Sequence, residues 1–446
     1  MTTTARLAYR VSPISGVSGS ITVPGDKSIS HRALMLASVA EGQTQIDGFL
    51  ESEDCLATMR ALQALGVHIE RLAASSVLVR GVGLRGLRPP QGSLDMGNSG
   101  TAMRLMTGLL AGQNFATELV GDESLMRRPM ERAAAPLRLM GAGIHTHDGR
   151  PPVRIDAASS LRGIRYRLPV ASAQVKSAIL LAGLYAAGDT TVIEPAVTRD
   201  HTERMLLGFG GAVEADRGTI RLTPPTQLRG CDLTVPGDFS SAAFFIVAAV
   251  LAARDSVTIR HVGVNPTRTG LLCMLGLMGA DIHLVRHRSV GAEPVADIQI
   301  RRTPLHGIEV PAGLVPLAID EFPAFFVAAA CADGETLVTG AEELRVKESD
   351  RIAAMAMGLG QLGVRCEVRP DGLLVRGVGT AAKLGGGVVD SCGDHRIAMA
   401  FAIASVRAAA GIEIRDVANV ATSFPGFPST ARGLGLAVSD PVGSSA

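Results

Sequence analysis

The sequence is poor in aromatic residues, has no tryptophan and carries almost no net charge. Aromatic side chains make up 3% of its 446 residues. Lysine and arginine together number 43, against 42 for aspartate and glutamate, so the formal net charge is +1. A surface that binds nucleic acid needs basic charge on one face and rings on which bases stack. The composition therefore argues against a nucleic-acid partner and predicts that any basic site is local.

Membrane segments and paired cysteines are also missing. The longest apolar runs, Ala242–Ala253 and Phe322–Ala332, are too short to span a bilayer, and residues 1–12 contain no apolar core of a signal peptide. The six cysteines are scattered and form no C-x-x-C pair. We therefore expect a cytoplasmic protein with no membrane partner, whose cysteines are buried free thiols and hold neither a metal nor a disulfide.

Small and apolar residues dominate the composition. The chain is 47% hydrophobic and contains 51 glycines. This is typical of a folded α/β protein, and the length suggests two or three domains.

One pattern occurs six times along the chain. A short strand leads through a polar corner into an apolar first helix; a strand, an amphipathic second helix and a closing strand follow. The segments begin near residues 21, 94, 166, 233, 308 and 388, and ITVPGD at 21–26 returns as LTVPGD at 233–238. The pattern predicts two similar domains of three segments each, 24–234 and 1–23 plus 235–446, with buried helices inside and sheets outside.

The second helices share an ending. An apolar residue, a glycine and a small apolar residue close four of them, which predicts a glycine C-cap before the next strand. These endings are Leu65-Gly66-Val67, Met140-Gly141-Ala142, Met278-Gly279-Ala280 and Leu362-Gly363-Val364.

The polar corners hold the candidate site residues. They are Asp26–Ser28, Gly97–Thr101, Ala171–Gln174, Asp238–Ser241, Asp320–Glu321 and Asp394–Arg396. A helix N-terminus has unpaired N–H groups and a partial positive charge, so corners that point the same way attract anions. Several cations lie in or near these corners, namely Lys27, Arg32, Arg104, Arg128, Arg351 and Arg396. We expect a site for more than one phosphate or carboxylate.

Two carboxylates interrupt the basic pattern. Asp320 fits an N-cap with Pro323 in the first turn, and Glu348 fits an i,i+3 partner of Arg351 on a solvated helix. Beside a cluster of cations, the same two groups fit an acid and a base with separately tuned pKa values. Both interpretations stay open at this point.

In their order along nearly the whole chain, the motifs resemble those of the 5-enolpyruvylshikimate-3-phosphate synthase family. They are Gly25–Ser28, Gly97–Arg104, Arg128-Pro129, Ser172–Gln174, Arg345–Arg351 and Asp394–Arg396. The resemblance implies an α/β fold of two similar domains, each of three βαβαββ units with buried helices and outer sheets, which close on ligand. This architecture is the inside-out barrel of enolpyruvyl transferases.

The resemblance also implies an activity. The family transfers the enolpyruvyl group of phosphoenolpyruvate to the 5-hydroxyl of shikimate 3-phosphate and releases phosphate, on the route to chorismate and the aromatic amino acids. It implies a cytoplasmic monomer whose partners are these two small molecules, with no metal and no cofactor.

Residue by residue, the resemblance implies the following roles. Asp320 resembles the proton acceptor from the 5-hydroxyl, Glu348 resembles the group that protonates the methylene carbon, and Lys27 is the third catalytic residue. Shikimate 3-phosphate would contact Lys27, Ser28, Arg32, Ser172, Ala173, Gln174, Arg199, Asp320 and Lys347. Phosphoenolpyruvate would contact Lys27, Asn98, Gly100, Arg128, Gln174, Arg351, His395 and Arg396.

Within the family, the chain resembles the class II branch. Thr422 stands where class I members have a lysine, so that contact with phosphoenolpyruvate is not carried over. Gly100 has no Cβ, which leaves room for the inhibitor glyphosate in the phosphoenolpyruvate site, whereas strongly tolerant members have alanine there. The family is a glyphosate target, and the response of this chain stays open.

Two other functions are weighed against this one. The sister transferase that acts on UDP-N-acetylglucosamine typically has Lys-Asn where this chain has Lys27-Ser28, and a mobile-loop cysteine, whereas no cysteine here is near Arg128. A non-catalytic nucleic-acid-binding protein built from similar repeats would need the basic, aromatic face that the composition argues against.

Overall fold

The computed structural model describes residues 7–158 and 160–443. The α-helices are α1 (Lys27–Val39), α2 (Glu53–Ala64), α3 (Gly100–Leu110), α4 (Glu123–Met126), α5 (Glu131–Leu139), α6 (Ala173–Gly183), α7 (His201–Gly208), α8 (Phe239–Ala252), α9 (Gly270–Leu277), α10 (Phe322–Ala330), α11 (Arg351–Gln361), α12 (His395–Ala404) and α13 (Phe427–Gly433). Short 3₁₀ turns occupy Ala312–Leu314, Pro316–Ala318, Glu342–Val346, Ser405–Arg407 and Ala418–Thr422.

The strands are short and lie between the helices. They are β1 (Leu7–Ser12), β2 (Val17–Thr22), β3 (Glu41–Asp47), β4 (His68–Ala73), β5 (Ser76–Val82), β6 (Leu94–Asp95), β7 (Thr117–Val120), β8 (Ile144–His147), β9 (Arg150–Ile155), β10 (Leu161–Arg162), β11 (Arg165–Arg167), β12 (Ala186–Ala187), β13 (Thr190–Ile193), β14 (Ala212–Asp216), β15 (Thr219–Thr223), β16 (Leu233–Thr234), β17 (Ala253–Gly263), β18 (Asp281–Val290), β19 (Glu293–Arg301), β20 (Glu335–Val338), β21 (Arg365–Arg369), β22 (Gly372–Arg376), β23 (Gly387–Asp390), β24 (Ile412–Arg415), β25 (Ala437–Val438) and β26 (Val442–Gly443).

The chain separates into two compact units. The first unit comprises Gly25–Pro236 and Ser289–Glu293; the second comprises the residues up to Pro24, Gly237–Arg288, and the residues from Pro294 onward. Each is described by itself below. From the sequence, domains are expected at 24–234 and at 1–23 plus 235–446. That these domains fold independently remains a prediction.

The first unit is built on three four-stranded sheets with the same topology. Their strand orders are β16-β3-β5-β4, β6-β7-β9-β8 and β11-β13-β15-β14. In each sheet the first two strands are parallel and the other pairs are antiparallel. A parallel neighbour requires a crossover, and helices α3 and α6 supply it in the second and third of these sheets, between β6 and β7 and between β11 and β13. This is the βαβαββ arrangement predicted from the repeats.

The second unit repeats the arrangement with N-terminal strands inserted. Its sheets have the orders β18-β19-β17-β2, β20-β22-β21 and β23-β24-β1-β25. The first strand of the fifth repeat is reduced to an isolated bridge between Glu309 and Leu337. Strand β1 therefore closes the sixth repeat and β2 opens the fourth.

The segment starts expected near residues 21 and 233 lie in strands that pair within other repeats, although residues 1–23 are expected from the sequence to belong with the second half of the chain. Strand β2, read as the start of the first repeat, pairs in parallel with β17, and β16 pairs in parallel with β3. The chain leaves one unit at each Pro-Gly corner, after residues 24 and 236. Each strand before a corner stays with the unit that the chain is leaving, so the near-identical ITVPGD and LTVPGD segments open each other's sheets.

The first helices form the core of each unit, as predicted. Every residue of α8 and of α10 is buried. A helix that is apolar on all sides has no face to present to water, so it must be surrounded by protein. In the first unit, a Cβ added at Gly108 of α3 would lie 2.2 Å from the carbonyl oxygen of Ala178 in α6. The missing side chain lets these helices touch, which brings their N-terminal corners together.

Glycine ends the second helices as predicted. Gly66 follows the C-cap of α2 with φ +88°, and the amide of Val67 donates to the Leu62 carbonyl over 3.1 Å. A left-handed residue at this place is what glycine adopts without strain. The same positive φ occurs at Gly141, Gly279 and Gly363.

The expectation that the cysteines are buried is wrong in part, because Cys273 and Cys392 are exposed. In residues 7–158 and 160–443, no helix has the length and apolar character needed to cross a membrane.

Candidate active site

Lys27 lies in the first turn of α1 in the first unit. The Asp26 side chain caps this helix by accepting from the Ile29 amide over 2.9 Å. The Lys27 ammonium forms an ion pair with the Asp54 carboxylate at the start of α2. Asp54 is 5% exposed and Lys27 is 16% exposed, so the carboxylate is buried while the cation still reaches the surface. The pair fixes a cation at a helix N-terminus.

Asn98 and Arg128 meet at the next corner. The Asn98 side-chain oxygen accepts from Nη2 of Arg128 over 2.7 Å, and its amide group donates to Asp122 over 2.7 Å. Arg128 also donates to the Ser124 hydroxyl over 3.3 Å and is 7% exposed. These bonds hold the guanidinium of Arg128 beside the N-terminus of α3.

Gln174 connects the corners of α3 and α6. Its carbonyl oxygen accepts from Nη1 of Arg104 over 2.7 Å, and its amide group donates to the Thr101 hydroxyl over 2.9 Å. Ser172 caps α6 by accepting from the Val175 amide over 3.4 Å. With both ends of its amide engaged, Gln174 has one orientation.

Gly100 leaves space for two guanidinium groups. A Cβ built on it would lie 2.9 Å from Nη1 of Arg104 and 3.3 Å from Nη1 of Arg128. Any larger residue must displace the end of a cationic side chain. The absence of a side chain at Gly100 therefore lets the guanidinium groups of Arg104 and Arg128 lie beside this backbone.

Arg32 lies below the surface. It is 3% exposed and donates to the hydroxyls of Thr202 and Ser177, each over 2.7 Å, and to the Ser28 carbonyl over 2.9 Å. It therefore connects α1 to α6 and α7 and orients the backbone at Ser28. Ala173 and Arg199 are both half-buried, at the start of α6 and just before α7.

His31 is a buried residue of this corner that the sequence did not single out. Its Nδ1 lies 2.8 Å from the Thr58 hydroxyl, and its Nε2 lies 3.4 Å from the hydroxyl of Ser99, the N-cap of α3. Burial lowers the pKa of His31 well below its usual 6.5, and the nearby cations Lys27 and Arg32 lower it further. A neutral imidazole therefore links the first two corners of the unit.

Arg351 is the centre of the charged cluster in the second unit. Its side chain is 1% exposed; Nε lies 2.8 Å from Asp394, Nη2 lies 2.6 Å from Glu348, and Nη1 lies 3.3 Å from Asp320. Burial alone would lower the pKa of Arg351, but these carboxylates raise it above its ordinary value. Its charge is therefore permanent, and it holds the carboxylates in one place.

Asp320 is surrounded by cations. Besides Arg351, its carboxylate lies 3.7 Å from Nζ of Lys347 and 4.0 Å from Nη2 of Arg396. The Asp320 carbonyl accepts from Nη1 of Arg396 over 3.1 Å. At 15% exposure the side chain is held in place but still open to a ligand.

Two of the structural interpretations offered for these carboxylates are wrong in detail. The N-cap of α10 is Glu321 rather than Asp320, although Pro323 does lie in the first turn. Glu348 does pair with Arg351 at i,i+3, but it precedes α11 instead of lying on it, and Arg351 is buried rather than solvated. Both carboxylates therefore lie on irregular backbone beside a buried cation.

The sequence missed the role of Asp394 in this cluster. Asp394 caps α12 by accepting from the Arg396 amide over 2.9 Å and is 0% exposed. It also accepts from Ser349 over 3.2 Å. The neighbouring His395 is 3% exposed. The N-cap position was a signal for a structural aspartate, but its partner Arg351 is 43 residues away in the sequence.

The two clusters suit different chemistry. Cations and helix N-termini in the first unit can bind phosphate or carboxylate groups. In the second unit, Asp320 and Glu348 are 15% and 20% exposed, so each can exchange a proton with a ligand. Over the described parts of the chain, three or more His, Cys, Asp or Glu side chains do not gather into a group that could hold a metal ion.

The comparisons with known proteins agree with each other. A profile of the family described as EPSP synthase (3-phosphoshikimate 1-carboxyvinyltransferase) matches residues 11–430. A 3-phosphoshikimate 1-carboxyvinyltransferase of Methylococcus capsulatus is 57% identical over 431 residues, which is 96% of this chain and 98% of that protein. One from Xanthomonas campestris pv. campestris is 57% identical over 426 residues, covering 95% and 96%.

Two solved structures have the same fold as this chain. An EPSP synthase from Acinetobacter baumannii superposes with a TM-score of 0.87 at 50% identity, over 97% of this chain and all of that one. The enolpyruvyl transferase NikO from Streptomyces tendae gives a TM-score of 0.81 at 18% identity over 99% of this chain and all of that one, which supports the fold alone. The matched profile spans almost the whole chain and includes all the corners described above, and the chain therefore belongs to the EPSP synthase family.

Proposed function

We propose that this enzyme transfers the enolpyruvyl group of phosphoenolpyruvate to the 5-hydroxyl of shikimate 3-phosphate and releases inorganic phosphate. The observation that carries the proposal is the arrangement around Arg351, where Asp320 and Glu348 are both bound to one buried guanidinium and remain partly exposed. The reaction removes a proton from a hydroxyl and adds one to carbon, which requires two separate proton-transfer groups.

The first unit supplies most of the proposed contacts with anions. The substrates together bring two phosphates and two carboxylates, which need several cations or helix ends. We assign shikimate 3-phosphate to Lys27, Ser28, Arg32, Ser172, Ala173, Gln174 and Arg199, with Asp320 and Lys347. We assign phosphoenolpyruvate to Lys27, Asn98, Gly100, Arg128 and Gln174, with Arg351, His395 and Arg396. For Arg32, the contact that fits its burial is indirect, through the Ser28 backbone.

In the addition step, Asp320 takes the proton of the 5-hydroxyl as the oxygen bonds to the central carbon of phosphoenolpyruvate. Glu348 gives a proton to the methylene carbon, which becomes a methyl group. The carbon–oxygen bond to the phosphate then breaks with its electron pair going to the phosphate, which receives the proton held by Asp320. The ionised Glu348 takes a proton back from the methyl group, and the carbon–carbon double bond returns. Lys347, Arg351 and Arg396 orient Asp320 and stabilise its anionic form.

Phosphate release by the purified enzyme tests this function. We expect release from phosphoenolpyruvate only when shikimate 3-phosphate is present, and a loss of at least about 100-fold in kcat for Asp320→Asn. Asp333→Asn is the matched control, because Asp333 is a carboxylate of the same unit that bonds the amide and hydroxyl of Thr380. It should retain full activity.

Other outcomes of the same assay lead to different conclusions. Release with UDP-N-acetylglucosamine as acceptor would move the function to the sister transferase. Absence of release with either acceptor would contradict the proposal altogether.

We further propose that the enzyme acts in the cytoplasm as a monomer, without a resident cofactor. The folding domains are taken as 24–234 and 1–23 plus 235–446. Light scattering during gel filtration should give the mass of one chain, and a mass of two chains would contradict this part.

A further inference from the structure

The helix that follows Asp320 begins differently from the other first helices. The others each begin with a residue whose side chain accepts from a backbone amide of the first turn, namely Asp26, Ser99, Ser172, Asp238 and Asp394. The N-cap of α10 is Glu321, and its side chain makes no capping bond. The carboxylate at this corner is therefore directed elsewhere.

Glu321 bonds to the neighbouring helix instead. The hydroxyl of Ser240, in the first turn of α8, donates to Oε1 of Glu321. The same hydroxyl accepts from Nη2 of Arg268 over 2.7 Å. Nη2 of Arg268 also lies 3.1 Å from Asp238 and 3.8 Å from Glu321. A continuous polar chain thus runs from Asp238 through Arg268 and Ser240 to Glu321.

This polar chain is out of contact with water. The Glu321 side chain is 0% exposed, Arg268 is 3% exposed and Ser240 is 3% exposed. Oε2 of Glu321 is buried with no hydrogen-bond partner. Buried charges seldom stabilise a fold better than apolar side chains of the same size, and an unsatisfied buried oxygen calls for a specific explanation. Fixing a geometry is such an explanation.

The backbone at Asp320 is held from both sides. On one side, Arg396 donates to the Asp320 carbonyl over 3.1 Å. On the other, the Glu321 amide donates to the Ala318 carbonyl over 2.9 Å, and the Glu321 side chain is tied to Ser240. The peptide between residues 320 and 321 therefore has little freedom to rotate. Fixing this peptide restricts the positions that Cα of Asp320, and with it the carboxylate, can take.

We propose that Glu321 is a positioning residue for Asp320, and that the Arg268–Ser240–Glu321 chain keeps the Asp320 carboxylate in its place between Lys347 and Arg351. The inference rests on the proposed function, in which Asp320 accepts the proton of the substrate hydroxyl. Reaction rates are sensitive to misplacement of a catalytic group by as little as about 1 Å. Loss of the chain should therefore lower kcat much more than it weakens substrate binding, because Asp320 is one of many proposed contacts with shikimate 3-phosphate.

Ser240→Ala is the mildest test, because it removes one hydroxyl and no charge. We expect kcat to fall about tenfold while KM for both substrates stays within about twofold. Ser405→Ala is the matched control. Ser405 is 1% exposed and donates to the Ala402 carbonyl over 2.7 Å at the C-terminal end of α12, the end opposite to Asp394. It should lower the melting temperature by a similar amount and leave kcat unchanged.

Glu321→Gln and Glu321→Ala provide a rescue test. Glutamine keeps an oxygen that can accept from Ser240, so Glu321→Gln should retain more of the wild-type kcat than Glu321→Ala. An equal loss of kcat in the two variants would contradict a positioning role that depends on a side-chain oxygen at residue 321 accepting from Ser240. If Glu321→Ala does not fold, Ser240→Ala still decides the matter.

The decisive measurement combines Ser240→Ala with Asp320→Asn. If the polar chain acts through Asp320, Ser240→Ala causes no further loss in the residual rate of Asp320→Asn, although the two losses in melting temperature add. A further tenfold loss in the double variant, or a change in KM instead of kcat, would overturn the inference. Normal kcat in Ser240→Ala, with an active wild type, would overturn it alone; an inactive wild type would overturn it together with the proposed function.

Discussion

The two charged clusters are built on the same repeat but treat their cations differently. In the first unit, Lys27 pairs with a single buried carboxylate and keeps 16% of its side chain exposed. In the second unit, Arg351 is 1% exposed and binds Asp320, Glu348 and Asp394 at distances of 3.3, 2.6 and 2.8 Å. One cluster presents a cation at the surface, and the other buries a cation to hold acids.

In the proposed function, this difference assigns anion binding to the cluster of the first unit and proton transfer to the cluster of the second. A helix N-terminus with an accessible cation attracts anions by itself. When the cation is buried among carboxylates, these groups neutralise its charge, so it does not attract an anion from solution. The groups available to a ligand are then the acids that the cation orients. Replacing Arg351 and Lys27 one at a time tests the two roles separately.

Arg351→Met should have the largest effect on stability. The substitution leaves the buried carboxylate of Asp394 without the Arg351 guanidinium and removes the cation shared by Asp320 and Glu348. We therefore expect the free energy of unfolding to fall by about 3–5 kcal/mol. Denaturant unfolding measures this loss. Arg376→Met is the control, because Arg376 and its partner Glu335 are about half exposed, and it should cost less than about 1 kcal/mol. A loss below about 1.5 kcal/mol for Arg351→Met would contradict the role given to its burial.

Lys27→Met should affect catalysis more than stability. Loss of an accessible cation at the proposed anion site is expected to lower kcat/KM by about 100- to 1,000-fold. Stability should fall as well, by about 1–3 kcal/mol, because the buried carboxylate of Asp54 loses its ammonium partner. The double variant Lys27→Met, Asp54→Asn should recover stability but not activity; recovery of both would make the pair purely structural. Lys383→Met, at an exposed lysine, is the control.

His31→Asn should have the smallest effect, and it concerns pH. The pKa of His31 in the folded protein lies well below 6.5, since burial and the adjacent cations oppose protonation. Below about pH 6.5 the unfolded chain binds a proton that the folded protein does not, so stability falls with decreasing pH. The contribution of His31 is at most about 1.4 kcal/mol per pH unit.

Unfolding curves measured between about pH 6.5 and 5 test this sign. The slope of stability against pH should be smaller in His31→Asn than in the wild type. His147→Asn, at a histidine whose side chain is 81% exposed, should keep the wild-type slope. An identical slope in all three proteins would mean that the pKa of His31 is the same in the folded and the unfolded protein, which contradicts the prediction.

Local patterns predicted the repeat and much of the candidate site. Glycine C-caps, apolar first helices and polar corners depend on neighbouring residues, so they were readable from the sequence. The pairing of Glu348 with Arg351 was readable for the same reason, since the two residues are three positions apart. Burial of that pair was not, because burial depends on what packs over it.

Contacts between distant segments were outside the reach of sequence patterns. Asp54 faces Lys27, Asp394 faces Arg351, and Glu321 faces Ser240 from 81 positions away. The exchange of β2 and β16 between repeats is of the same kind. ITVPGD and LTVPGD are almost the same sequence, so nothing in them states which sheet each strand joins.

The sequence by itself determined the six-part repeat, the helical corners, the α/β class and, through the ordered motifs, the family. These properties follow from side-chain periodicity, capping and residue identity, which act over a few positions. The tertiary structure alone decided which cation is buried, which acids it holds and which strand completes each sheet. Such choices depend on desolvation and on hydrogen bonds between segments far apart in the chain, and these exist only once the helices have packed.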